Sequence, residues 1–118
     1  MSIVKEQHLF LLDVAKLINR IANSGMIVTG GELYRTAEQQ AIYLKTGGST
    51  TANSKHLKRL AIDLNFFIFD ARGDPKLTYD ILIIKPFGDY WESLAPGKNK
   101  WGGNWATFKD VPHFERNA

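Results

Sequence analysis

Two of the three histidines in this 118-residue chain stand beside carboxylates: His56 with Asp63 in SKHLKRLAID, and His113 with Asp110 and Glu115 in DVPHFE. Imidazole with carboxylate is a donor set for zinc, which takes nitrogen and oxygen ligands at about 2.0–2.2 Å in a tetrahedral arrangement. Two imidazoles and one carboxylate leave the fourth position to water, the pattern of a site that does chemistry. Such a water has its pKa lowered to about 7 and becomes a nucleophile once a nearby carboxylate takes its proton. The chain has no cysteine, so thiolate sites and disulfides are excluded and any zinc rests on these groups.

The spacing constrains the backbone. In a helix, seven residues would set His56 and Asp63 roughly 10 Å apart along the axis, too far for one ion. In a straight strand they would lie roughly 23 Å apart on opposite faces. A shared ion therefore requires the chain to turn near Lys58 and Arg59 before a strand carries Asp63. In DVPH, Pro112 fixes its own φ and biases Val111 towards extended backbone, so this second half-site is stiff and nonhelical.

The elements that must position these groups follow from periodicity. From Ile3 to Ala22, Val4, Leu11, Val14, Leu17, Ile18 and Ile21 recur at helical spacing, and Asn23, Ser24 and Gly25 end the run. His8 lies on this helix as a structural or solvated residue, without a chemical role. Met26–Val28 reads as a short buried strand before Gly30 and Gly31. Thr36 is an N-cap for a helix with Ala41, Ile42 and Leu44 on its apolar face, stopping at Gly47 and Gly48. GGSTTANS reads as an exposed loop leading into the SKH sequence. Leu60–Phe69 reads as a central strand, with Leu60, Ile62 and Leu64 on one face and Ala61, Asp63 and Asn65 on the other. Asp70–Pro75 is a turn. TYDILIIKPFGDYWESLA reads as a helix interrupted or restarted near Pro86 and Gly88, and the tail as a turn-rich approach to one last short strand. Trp91, Trp101 and Trp105, with Tyr90 and Phe108, are expected to brace the core and loops rather than line a groove.

Length and composition suit one compact domain over residues 1–118. A 44% hydrophobic and 23% charged chain is that of an ordinary globular protein. The formal charge of +3 and pI near 9.2 give a mild preference for acidic surfaces such as nucleic acid, anionic lipid or anionic wall polymer. Lys55, Lys58 and Arg59 by themselves read as a solvated face, and no nucleic-acid partner is expected. Asp13 interrupts the first apolar run, and neither a secretion signal nor a membrane span is read; synthesis as a soluble monomer in the cytoplasm, without stable membrane insertion, is the expectation.

SKHLKRLAID resembles the SxHxxGxAxD motif of the M15 zinc peptidases, matching at Ser54, His56, Ala61 and Asp63, with Arg59 where the motif has glycine. WGGNWATFKDVPHFE resembles the WGGxW...DxPHFE ending of the phage endolysin branch, and with YRTAEQQ the similarity runs from about Gly30 to Glu115. The resemblance implies an α+β fold, a small antiparallel sheet flanked by helices, as in Hedgehog-type domains and D-Ala-D-Ala peptidases. It implies zinc on His56, Asp63 and His113, Asp110 as the catalytic carboxylate, and Arg35 and Ser54 at the substrate. Glu115 would either share the role of base or orient His113. The implied substrate is a peptidoglycan stem peptide, cut by an L-alanyl-D-glutamate endopeptidase acting as a phage endolysin from the host cytoplasm. The rivals are a D-Ala-D-Ala carboxypeptidase or dipeptidase and a noncatalytic zinc-stabilised binding module.

Overall fold

The computed structural model describes residues 2–47, 54–107 and 109–118. The expected loop over 48–53 and the bracing role of Phe108 lie outside the described residues. Helix α1 spans Ile3–Asn23, opened by the Ser2 hydroxyl, which accepts the Lys5 N–H at 3.2 Å. Strand β1 (Ile27–Gly30) follows, and α2 (Ala37–Thr46) begins at Thr36, whose hydroxyl accepts the Gln39 N–H. A 3₁₀ turn, Lys55–Lys58, precedes β2 (Ala61–Phe69). Then come β3 (Pro75–Thr78), α3 (Ile81–Leu94), β4 (Asn99–Trp101), a second 3₁₀ turn at Gly102–Asn104, and β5 (His113–Arg116).

The fold is α+β, as expected, with every strand pair antiparallel in a sheet ordered β1-β2-β5-β4 and β3 added on β2. The nine-residue β2 is its spine: residues 61–63 pair with β5, 64–67 with β1 and 66–69 with β3. Phe10, Val14, Leu17 and Ile21 of α1 and Ile84, Phe87 and Trp91 of α3 bury against Leu64 and Phe66 of β2 and against Trp101 and Phe114. The indole of Trp101 fits only because Gly88 and Gly103 lack side chains: a Cβ at either would stand 2.2 Å from its ring.

Several sequence expectations shift. The buried face of α1 uses Phe10 along with Val14, Leu17 and Ile21, while Val4, Leu11 and Ile18 are exposed. On α2, Ile42 and Leu44 are exposed and Gln40 is buried, so that face does not pack as an apolar stripe. Strand β1 begins one residue later and ends two residues later than Met26–Val28. The interruption expected near Pro86 is absent, and α3 continues through it. Pro86 removes the N–H that would meet the Leu82 carbonyl, and both residues are exposed, so water can satisfy that carbonyl. Strands β3 and β4 were not foreseen: PKLT follows turn residues, and NKW is three residues long.

Candidate functional site

The turn demanded by the His56–Asp63 spacing is present. Ser54 caps it, its hydroxyl accepting the His56 N–H at 3.2 Å. The chain reverses at Arg59, in the left-handed region at φ 54°, ψ 39°, the sole non-glycine residue with positive φ among the described residues. The family's glycine position is thus a conformational requirement, which arginine meets at a cost of about 1 kcal/mol. The Arg59 guanidinium lies over the Tyr34 ring, 4.1 Å from its centroid, an offset of similar size. We therefore expect Arg59→Gly to stay within about 1 kcal/mol of the parent in urea denaturation. Arg59→Val, β-branched where φ is positive, should lose about 2 kcal/mol.

Past that turn, β2 presents Asp63 directly opposite His113 of β5, and facing antiparallel residues project to the same side of a sheet. His56 Nε2 and His113 Nδ1 each stand 3.4 Å from Asp63 Oδ1. The three donor atoms lie within 4.8 Å of one another.

The outer nitrogen of each ring is anchored. His56 Nδ1 is 3.0 Å from the Leu33 carbonyl, which can only accept, so Nδ1 carries a proton and Nε2 faces Asp63. His113 Nε2 is 2.8 Å from Glu115 Oε1, which leaves Nδ1 facing inward. Partners of this kind fix the tautomer and orientation of metal-binding imidazoles.

These residues fit a metal ion. Donors about 2.0–2.1 Å from a tetrahedral ion stand about 3.4 Å from one another, the spacing found between Asp63 Oδ1 and each imidazole nitrogen. Asp63 Oδ1 is buried without a hydrogen-bond partner, with the two imidazole nitrogens at 3.4 Å. An orphaned carboxylate oxygen between two inward-facing imidazoles is what a cation would satisfy. Burial pushes the Asp63 carboxyl up, but the pull of His113 and His56 outweighs it and holds the group at about 2. Burial likewise disfavours charge on His113, yet Asp63 and Glu115 lift it to about 9.

Asp110 stands at the open side of this cluster, its Oδ2 3.9 Å from His113 Nδ1. Burial raises its pKa above the usual carboxylate value, with His113 opposing the rise and Asp63 adding to it, a shift in the direction that favours proton exchange near neutral pH. It borders a cleft of about 310 Å³ lined also by Tyr79, Lys109, Val111 and Pro112. Glu115 meets the outer nitrogen of His113, away from Asp63, in the position of an orienting group rather than a base.

Gly102 allows Asp110 to sit where it does. A Cβ there would lie 2.2 Å from the Asp110 carbonyl oxygen, which accepts the His113 N–H at 3.1 Å. Gly102→Ala must therefore displace Asp110 and His113 together. Shifts near 1 Å can cost about a hundredfold in rate, so activity should fall by at least tenfold and the overpacking should cost about 1–3 kcal/mol of stability, as activity assays and calorimetry would show.

Arg35 is held by side chains rather than paired loosely at the surface. Its Nε donates to Glu32, and Nη1 donates to Gln40 Oε1 at 2.6 Å and to Ser54 Oγ at 3.4 Å. The guanidinium lies over the Tyr43 ring, and the Tyr43 hydroxyl donates to Glu32. Its main chain joins the site as well, because the Arg35 N–H donates to the His56 carbonyl at 3.2 Å. Ser54 is buried between Arg35 and the turn. Sequence reasoning missed Glu32, Gln40 and Tyr43, whose spacing to Arg35 carries no periodic signal. Of the aromatics, Trp91 and Trp101 are core as expected, whereas Trp105 lies against the His113 imidazole, ring centroids 5.1 Å apart. His8 is exposed, outside the cluster.

A family model described as D-alanyl-D-alanine carboxypeptidase, of the M15 peptidases, matches residues 47–116. An L-alanyl-D-glutamate peptidase of Listeria phage A118 is 33% identical over 102 residues, covering 86% of this chain. The chain spans 34% of that relative's length. The crystal structure of an L-Ala D-Glu endopeptidase from Serratia marcescens superposes with a TM-score of 0.61 at 26% identity, over 76% of this chain and 66% of that one.

Proposed function

The chain belongs to the M15 peptidase family, and on that premise we propose that it is a zinc-dependent peptidoglycan hydrolase cleaving the L-alanyl-D-glutamate bond of stem peptides. The observation that carries this reading is the register that sets Asp63 against His113, with His56 closing the triad and Asp110 beside it. In this reading His56, Asp63 and His113 hold the zinc. Bound there, zinc would supply Lewis-acid polarisation of the scissile carbonyl and acidify water.

The protein's own groups do the rest. Asp110 takes the proton of the attacking water and returns it to the departing amine. Glu115 and the Leu33 carbonyl keep the two imidazoles in register. Arg35, fixed by Glu32 and Gln40 with Ser54 packed behind it, presents a guanidinium that suits a substrate carboxylate or peptide carbonyl.

The endopeptidase specificity rests on the two similar proteins named for it, and a role as an endolysin made in the host cytoplasm rests on the phage source of one of them. The family description favours a second reading, a D-Ala-D-Ala carboxypeptidase. Mass analysis of digested muropeptides separates the two. Free L-alanine ends with D-glutamate-initiated fragments support the endopeptidase; released D-alanine alone overturns it. Digestion undiminished by a chelator would remove zinc from the mechanism.

A further inference from the structure

The acidic residues of α1 are Glu6 and Asp13, and both are buried. Glu6 accepts from Arg116 Nε at 2.6 Å and from Lys98 Nζ at 3.4 Å, while Asp13 accepts from Asn99 Nδ2 at 3.0 Å and faces Lys16 at 3.9 Å. The outward surface of this 21-residue helix therefore presents no carboxylate. Its exposed charges are Lys5, Lys16 and Arg20. Lys5 and Lys16, eleven residues or about three turns apart, fall on one line with Arg20 beside it.

A second line is apolar. Val4, Leu11 and Ile18 recur every seven residues and are 69%, 58% and 37% exposed, with Ile3 and Leu12, each 47% exposed, nearby. The apolar arc of α1 is thus wider than the core requires, and the basic line runs roughly 130° further round the helix, on the far flank of the same outward surface. The match to the family model begins at residue 47, after α1.

We propose that the outer face of α1 docks the protein on an anionic lipid bilayer, lying in the interface with Val4, Leu11 and Ile18 at the acyl boundary and its cations among the headgroups. Charge complementarity selects this occupant. A second copy packed along the apolar line would give the cations, on the other flank of the helix, no part in the contact. An anionic polysaccharide would meet the cations but offer nothing to the apolar line. A bilayer supplies both, and basic amphipathic helices associate with surfaces in this way. The association is peripheral: among the described residues no helix is long and apolar enough to cross a membrane.

Co-sedimentation of the full chain with phosphatidylcholine–phosphatidylglycerol vesicles, against phosphatidylcholine alone, tests the proposal. The expected result is binding to the mixed vesicles only, weakened by salt. Val4→Gln with Leu11→Gln should reduce partitioning at least tenfold, and Lys5→Gln with Lys16→Gln about twentyfold at low salt. Parent-like zinc content and thermal midpoints would show that the variants fold. Absence of binding to the anionic vesicles overturns the proposal, as does binding that both double variants leave unchanged. A dimer seen by light scattering, abolished by Val4→Gln with Leu11→Gln and unaccompanied by vesicle binding, would overturn it in favour of a second copy.

Discussion

Asp110→Asn is expected to lower muropeptide cleavage by about 10²- to 10⁴-fold, the range for loss of a positioned proton carrier, while zinc content stays at the parent level. Asparagine keeps the shape of the side chain, so the 110–113 segment and its carbonyl bond to the His113 N–H need not move. The proposed ligand donors belong to residues 56, 63 and 113, and replacing a carboxylate 3.9 Å from His113 Nδ1 leaves all three in place. Zinc measured by mass spectrometry alongside digestion rates reads both halves of the expectation. Cleavage that persists within tenfold of the parent with zinc bound would remove Asp110 from the role of base. Glu115→Gln provides the contrast: a glutamine can still accept from His113 Nε2, so turnover should change far less.

How much of this was legible before the fold was known depends on what each feature rests on. The turn between His56 and Asp63 followed from spacing alone, because neither a helix nor a straight strand can bring residues seven apart to one ion. The cap at Thr36, the long first helix and the central strand were likewise local signals, and each is present. What escaped depends on the tertiary context. Strand β3 gains its identity from pairing with the end of β2, and PKLT alone carries too few residues for a period. Pro86 was read as a break because the sequence does not show that the freed carbonyl faces water. The outward direction of Val4, Leu11 and Ile18 was hidden because the apolar arc of α1 is wider than its buried face, so periodicity identified a helix without saying which part of the arc packs.

The site shows the same division. His56, Asp63, Asp110 and His113 stood out because metal-binding residue types are few in a chain with three histidines and no cysteine. The network around Arg35 did not, since Glu32, Gln40, Tyr43 and Ser54 converge only when β1, α2 and the 55–58 turn are assembled. Gly102 was visible within WGGNW, but its reason, the close approach of the Asp110 carbonyl, is a contact between segments. Whether Glu115 orients or catalyses was open from the sequence, and the nitrogen it meets is what distinguishes the two.

Loss of the His113 proton is expected to raise zinc affinity about tenfold per pH unit between pH 7 and pH 9, roughly a hundredfold in all, in addition to the gain from ionisation of zinc-bound water, and the His113 contribution levels above pH 9. The sign follows from His113. Its ordinary value of 6.5 is lifted to about 9 by Asp63 and Glu115, so in chelator-treated protein at neutral pH the ring carries a proton that must leave before Nδ1 can bind a metal. Each unit of pH below 9 makes that displacement tenfold harder, and above 9 there is no proton left to displace. Asp63, at about 2, is already ionised across this range and contributes no slope. The same shift makes the charged imidazole stabilise the chelator-treated fold below pH 6.5, an effect lost as pH rises through 9. Metal loading and metal-free stability should therefore move in opposite directions with pH. Isothermal titration of zinc in buffers of different ionisation enthalpy would register at least one proton released per ion at pH 7.5, with the His113 share falling towards zero above pH 9. Glu115→Gln tests the cause as well as the slope. Losing that carboxylate lowers the pKa of His113, so the plateau should begin at lower pH. Orientation of the ring is weakened too, at a cost of about tenfold to a hundredfold in affinity on the plateau.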